Sequence, residues 1–344
     1  MSWPVSITEV KKLQLEITNY CNARCPACAR EKSITKDSKK HIGINDTYVS
    51  LDKFKQWFSK DKWDSLLLID LCGNYDEPTT NPDLIKIISW IFSSNLFPHV
   101  QVNIATNGGT RNKEFWRKLG ELSQSHKHPG SDGITSRLHV IWGIDGLEDT
   151  NHLYRRNVSW NKLQENFRTY ISEGGRASWQ FIYFKHNEHQ DEIAKQRSIS
   201  EGFERIKFRG TKSREHKVVT PGTGKYELDT QKTVKKIVCK ALLRPNYRGL
   251  DSGLYVTVKG QVLPCCWWGT EAHLNDLDKT YNLSYNIDNI NLNGENNFQQ
   301  ILDSPWYSNL HDTIQTEIFD KCVHHCKENI ISTINNQIHA DKVK

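Results

Sequence analysis

LQLEITNYCNARCPACAR, residues 13–30, joins a run of alternating apolar and polar residues to three cysteines, Cys21, Cys25 and Cys28, spaced C-x3-C-x2-C. The alternation in LQLEIT predicts a strand, which puts the cysteines in the loop at its C-terminal end. Three thiols are one short of a zinc tetrahedron. An iron–sulfur cube takes one thiolate per iron, so three cysteines leave one iron open to chelate a small molecule. Taken alone, the triplet also reads as part of a zinc knuckle with a distant fourth ligand, or as buried thiols.

Outward from this stretch, five further strands are expected: LLLIDL (66–71), VQVNIAT (100–106), LHVIWGID (138–145), WQFIYF (179–184) and RIKF (205–208). Helix-like stretches lie between them at 51–60, 83–93, 112–123, 160–173 and 189–200. Strict alternation of strand and helix implies crossover connections and a parallel sheet. Six such units make an open or partial barrel, two short of the closed eightfold form. From about residue 210 the pattern breaks. A polar stretch containing Gly and Pro reads as a connection, and a second unit begins near Cys239. It holds a hairpin-like GLYVTVKGQVLPCCWW (253–268), an Asn-rich loop, and helices near 297–310 and 320–334.

Bulk properties narrow the class. The chain has 344 residues, 37% hydrophobic and 25% charged, with 11 Trp, 12 Tyr and 12 Phe, which excludes disorder as the main state. No run of eighteen apolar residues occurs, and MSWPVSITEVKK lacks the apolar core of an export signal, so no membrane association and a cytoplasmic location are expected. Nine cysteines in such a chain argue for metal rather than disulfides. The net charge of +6 is compatible with phosphate-bearing partners and too small for a dedicated nucleic-acid binder.

The cysteine triplet after a first strand resembles the signature of the radical S-adenosylmethionine (radical SAM) enzymes, and three further segments extend the likeness. CGNYDEP (72–78) follows the second strand, where the family carries a Gly-Gly-Glu type turn; Glu77 matches its acid, Gly73 lies in the turn, and Asp76 stands where glycine is common. ATNGG (105–109) follows the third strand and supplies Asn107 and Gly108. WGIDGLEDTNHLYRR (142–156) is similar to a fourth-strand S-I-D-G segment followed by arginine, with Gly143 where serine is frequent. The resemblance implies a partial (β/α)6 barrel over 1–212. It implies a 4Fe-4S cluster on Cys21, Cys25 and Cys28 that chelates S-adenosylmethionine through the open iron. Glu77, Gly73, Asn107, Gly108 and either Arg155 or Arg156 are its implied cofactor contacts. Reductive cleavage would give a 5′-deoxyadenosyl radical that takes hydrogen from substrate, with an external donor such as flavodoxin or ferredoxin.

The late cysteines resemble a second family feature. Cys239, the segment KGQVLPCC with Cys265, and Cys322 and Cys326 in FDKCVHHCK are similar to the auxiliary-cluster extension called SPASM, or its shorter twitch form. Five late cysteines suit one further 4Fe-4S cluster, on Cys239, Cys265, Cys322 and Cys326, with Cys266 spare or replacing Cys265. Zinc competes at this site, because His324 and His325 lie between two of the thiols. The expected organisation is therefore α/β: a barrel over 1–212, a basic linker over 213–238, and a small α+β auxiliary domain over 239–344. The substrate stays open between a peptide or protein side chain and a nucleotide-like or other small molecule. The first strand begins by residue 13, which leaves no room before it for a peptide-binding domain and weakens the peptide reading. Between Arg205 and Lys240 the basic residues far outnumber the acidic ones, which suits either a phosphate-bearing substrate or a solvated surface. A non-catalytic zinc or iron–sulfur protein that binds nucleic acid is the alternative.

Overall fold

The computed structural model describes residues 6–32, 47–128, 135–210, 253–266, 268–269 and 290–316. Its strands are β1 (Lys12–Leu15), β2 (Leu68–Leu71), β3 (Gln101–Thr106), β4 (Leu138–Gly143), β5 (Arg176–Ile182), β6 (Arg205–Arg209), β7 (Gly253–Val256) and β8 (Val262–Leu263). The helices are α1 (Ala29–Lys32), α2 (Leu51–Phe58), α3 (Leu84–Ser93), α4 (Lys113–Ser125), α5 (Asn151–Tyr154), α6 (Trp160–Ser172), α7 (Asp191–Ser200), α8 (Phe298–Leu302) and α9 (Pro305–Thr316).

Each crossover helix starts where a short polar side chain can take the place of the missing backbone acceptor. Ser50, Asn112 and Ser159 accept from the amides of Lys53, Phe115 and Lys162, which fixes the first turns of α2, α4 and α6. Asn297 and Gln300 form a reciprocal capping box on α8. β5 begins three residues earlier than its hydrophobic run suggests. Arg176 and Ser178 sit on its polar face and hide the strand from a reading based on apolar residues.

All strands lie in one sheet, ordered β6-β5-β4-β3-β2-β1-β7-β8, which does not close. Every pair from β6 across to β7 is parallel, and β7 turns antiparallel into β8. The six expected strands are thus extended by two. The hairpin expected at 253–268 does form, but its first strand pairs with β1, Lys12 opposite Gly253 and Leu15 opposite Val256. Described residues of the expected C-terminal unit therefore belong to the same sheet as the barrel strands. Residues 213–238 and the helix expected at 320–334 lie outside the described residues.

The sheet has two unlike faces. One carries Leu13, Leu15, Ile69, Leu71, Val102, Ile104, Val140, Trp142, Trp179 and Phe181, all buried. Crossover helices α4 and α6 pack against this face, with the rings of Trp116 and Trp142 4.6 Å apart. Each such side chain, fully buried, contributes roughly 1.5–3 kcal/mol. The alternate residues on the other face, including Gln14, Asp70, Gln101, Asn103 and Gln180, are polar and only partly buried. α8 docks onto the start of the chain, where Phe298 meets Trp63 edge-on at 4.8 Å and its amide donates to Asp61 Oδ2 at 3.0 Å.

Candidate functional site

The sequence loops that follow β1, β2, β3 and β4 leave the sheet at the same end, because the strands are parallel. They enclose a cavity of about 210 Å³ whose wall includes Cys21, Cys25, Cys28, Gly73, Asp76, Glu77, Asn107, Gly143, Arg155 and Gln180. The cysteine loop is tied down at both ends. Arg24 N donates to Arg156 O at 3.0 Å, Cys28 N to Cys25 O at 3.0 Å, and the buried Arg30 guanidinium to the carbonyls of Asn19 and Tyr75. Two sulfurs have donors beside them: Asn107 Nδ2 lies 3.7 Å from Cys21 Sγ, and Arg155 Nη1 lies 3.9 Å from Cys25 Sγ. Burial pushes the Cys21 thiol well up. It pushes Cys25 up to about 11, with the Arg155 charge pulling the other way. The free thiols therefore hold their protons at neutral pH, and a metal that takes them as thiolates releases protons on binding.

The turn after β2 concentrates negative charge. Gly73 N donates to Asp76 Oδ1 at 2.6 Å, and Tyr75 N to Glu16 Oε1 at 2.9 Å. A Cβ on Gly73 would stand 2.5 Å from Glu16 Cγ, so only glycine fits. Glu77 is 2% exposed and its carboxylate is fully engaged by the chain itself: Oε1 accepts from Thr79 Oγ1 and Thr106 Oγ1, both at 2.6 Å, and Oε2 from Asn107 N at 2.6 Å. Glu77 thus braces the β2 turn against the β3 turn. Asp76 differs. Its Oδ2 is shut off from solvent and closes no hydrogen bond. Burial, and then the Glu16 charge, push its carboxyl well above the usual range.

The turns after β3 and β4 separate the expected contacts. Asn107 lines the cavity, with Nδ2 also donating to Asn22 Oδ1 at 2.8 Å. Gly108 does not line it. Its φ of +69° is a left-handed turn packed on Trp142 and Leu163, and its carbonyl accepts from Asn166 Nδ2 at 2.8 Å. Of the two arginines, Arg155 is the one in the cavity wall, where Nε donates to the fully buried Asp145 Oδ2 at 2.7 Å. Arg156 is exposed and contributes only its carbonyl, to Arg24. Gly143 has its reason here, since a Cβ would fall 2.5 Å from Arg155 Nη2. Sequence reasoning missed Glu16, Asp145 and Gln180. Glu16 and Asp145 stand inside the quoted segments as acids at strand ends, a signal that was available.

The three thiols fit a polynuclear cluster better than one ion. They share one cavity, yet no three His, Cys, Asp or Glu side chains among the described residues are close enough to hold a single metal ion. In a cube each thiolate takes a different iron, which matches thiols spread around a cavity. Of the late cysteines, Cys265 and Cys266 are described and partly buried. Their turn docks on the β2 turn: Asn74 Nδ2 donates to Cys266 O at 2.6 Å and Asn74 N to Tyr255 Oη at 3.3 Å. Cys72, also in the cavity wall, is a buried thiol pushed well up by desolvation. Cys239, Cys322 and Cys326 lie outside the described residues. Among the described residues, no helix is long and apolar enough to cross a membrane.

No family model and no curated protein matches the sequence. Solved structures do match. SuiB of Streptococcus suis, bound to its precursor peptide SuiA, superposes with a TM-score of 0.55 at 14% identity, over 88% of this chain and 66% of SuiB. SuiB bound to S-adenosylmethionine gives 0.51 at 13% identity, over 75% of this chain and 61% of that one. The enzyme anSMEcpe with bound AdoMet gives 0.54 at 11% identity, over 92% and 83%. The chain thus spans rather less than two thirds of SuiB, and its fold is that of the radical SAM superfamily, an α/β architecture on a mostly parallel, open sheet.

Proposed function

We propose that this protein is a radical SAM enzyme whose cluster-binding residues are Cys21, Cys25 and Cys28. One observation carries the reading: the C-x3-C-x2-C thiols, the 73–77 turn, Asn107 and Arg155 line a single cavity at the C-terminal ends of parallel strands. When a 4Fe-4S cluster and S-adenosylmethionine are bound there, reductive cleavage of the cofactor supplies a 5′-deoxyadenosyl radical for hydrogen abstraction. The chain's own part is to hold and orient. Asn107 and Arg155 present N–H groups to the sulfurs of Cys21 and Cys25. Arg155, fixed through Nε by Asp145, presents its remaining nitrogens to a carboxylate, the partner that guanidinium geometry favours. Asp76 Oδ2, next to Glu16, offers an anionic pocket for an ammonium, a role the sequence had led us to expect of Glu77.

A second 4Fe-4S cluster, on Cys239, Cys322, Cys326 and either Cys265 or Cys266, is part of the same proposal. The substrate is a peptide or a small molecule, and an external protein such as flavodoxin or ferredoxin would deliver the electron. The test is made on anaerobically reconstituted protein. About eight irons per chain are expected, falling by half in the Cys21→Ala/Cys25→Ala/Cys28→Ala variant, with slow release of 5′-deoxyadenosine and methionine in dithionite and S-adenosylmethionine. A filled first cluster without any 5′-deoxyadenosine would overturn the enzyme reading. Zinc in place of half the iron would overturn the second cluster alone.

A further inference from the structure

β6 reads RIKFR, and its alternation sorts charge from grease. Ile206 and Phe208 share a side with Trp179 and Phe181, the helix-covered side, through the register Trp179 to Ile206 and Phe181 to Phe208. Arg205, Lys207 and Arg209 are exposed and point the other way, in register with Ser178, Gln180 and Ile182. Three cations at a repeat of about 6.7 Å therefore run up one face of one strand. Arg205 and Arg209 make no ion pair among the described residues. Basic residues on an edge strand also guard against pairing with another chain. That task does not need every cation on one face, and it does not explain where this ladder leads. Arg209 Nε donates to Gln180 Oε1 at 3.3 Å, and Gln180 is in the wall of the cysteine cavity. Gln180 is also in register with Gly143, the residue against Arg155. The ladder thus starts in solvent and ends at the site, along the polar face that the helices leave open.

We propose that the β6 ladder is the anchoring subsite for the substrate, and that the group it anchors is a phosphate ester. This rests on the radical SAM reading, since it places the anchored substrate with its reacting end at the cavity. A monocarboxylate needs one guanidinium; a dianionic phosphate uses two or more cations, and arginine meets phosphate with paired donors. The polar neighbours Gln14, Asn103 and Gln180 then serve the rest of a hydrophilic small molecule.

The experiment is calorimetric titration of the full chain with phenyl phosphate and, separately, with a hexaglutamate peptide. It is made without S-adenosylmethionine or reductant, so its outcome does not depend on the radical chemistry, and failure of cleavage would leave it standing. Phenyl phosphate is expected to bind the wild type, and Arg205→Gln/Arg209→Gln to weaken it at least tenfold. Lys53→Gln/Lys55→Gln on α2 is expected to leave that affinity unchanged. Equal affinity in wild type and Arg205→Gln/Arg209→Gln, or equal loss in the α2 variant, overturns the subsite. Hexaglutamate bound more tightly than phenyl phosphate, with the same dependence on Arg205 and Arg209, overturns the phosphate class in favour of an acidic peptide. Unchanged thermal unfolding confirms that these exposed substitutions leave the fold intact.

Discussion

Gly143 and Arg155 show how one missing methyl group organises the site. The guanidinium lies where a side chain at 143 would be, and its Nε is committed to the buried Asp145. Gly143→Ala cannot be absorbed by swinging the arginine away without leaving Asp145 buried and unpaired. A loss of about 1–3 kcal/mol in unfolding free energy is expected, read by urea denaturation, together with weaker binding of S-adenosylmethionine. Asp76 works in the opposite direction. Its carboxyl is raised by burial and by Glu16, so the folded protein keeps this proton to higher pH than the unfolded chain does. Stability of the metal-free protein is then greatest below the ordinary aspartate value and falls as pH rises from about 4 toward the raised value. Asp76→Asn removes this term and gives Oδ2's place to an amide that can donate to a neighbouring carboxylate. It is expected to stabilise the metal-free protein at pH 7 by about 1–3 kcal/mol, flatten that limb of the pH profile, and weaken cofactor binding. Unfolding curves at pH 5 and pH 8 check the sign.

Among the elements, the strands were legible because a sheet with one greasy face prints its period of two into the sequence. LQL, LID and QVNIA carry it openly. β5 carried it less well, since Arg176 and Ser178 open the strand on its polar side. The cysteine triplet named the site, and the parallel order told which loops would meet. Side-chain direction was not readable. Nothing local distinguishes Arg155 from Arg156, or tells that Glu77 is held by Thr79, Thr106 and Asn107 while Asp76 keeps an open oxygen. The clamp between the β2 turn and the β7–β8 hairpin was equally hidden, because Asn74 and Cys266 are far apart in sequence. Asn74→Ala deletes the bond to Cys266 O but keeps the backbone bond to Tyr255. It is expected to cost about 1 kcal/mol and to speed hydrogen exchange of the 253–266 backbone, with β3 and β4 unchanged.

On the scale of the whole molecule, β1 is an interior strand, with β2 on one side and β7 on the other. A chain ending after Gly210 would leave the N–H and C=O groups of residues 12–15 open along that second side, and would uncover Phe58 and Trp63 where Phe298 now sits. Such a fragment is expected to aggregate, as an exposed strand edge beside apolar surface does; light scattering of the purified fragment checks this. If it is monodisperse, the six-strand unit is self-sufficient. The same pairing bears on how the protein is made. The ribosome delivers residues 12–15 almost first and residues 253–256 only after all six crossover strands have emerged, so the cysteine loop spends most of synthesis hanging from an unfinished edge. Loading of iron before the chain is released would catch that loop on a strand with one neighbour instead of two, and cluster assembly is therefore expected to follow completion of the polypeptide.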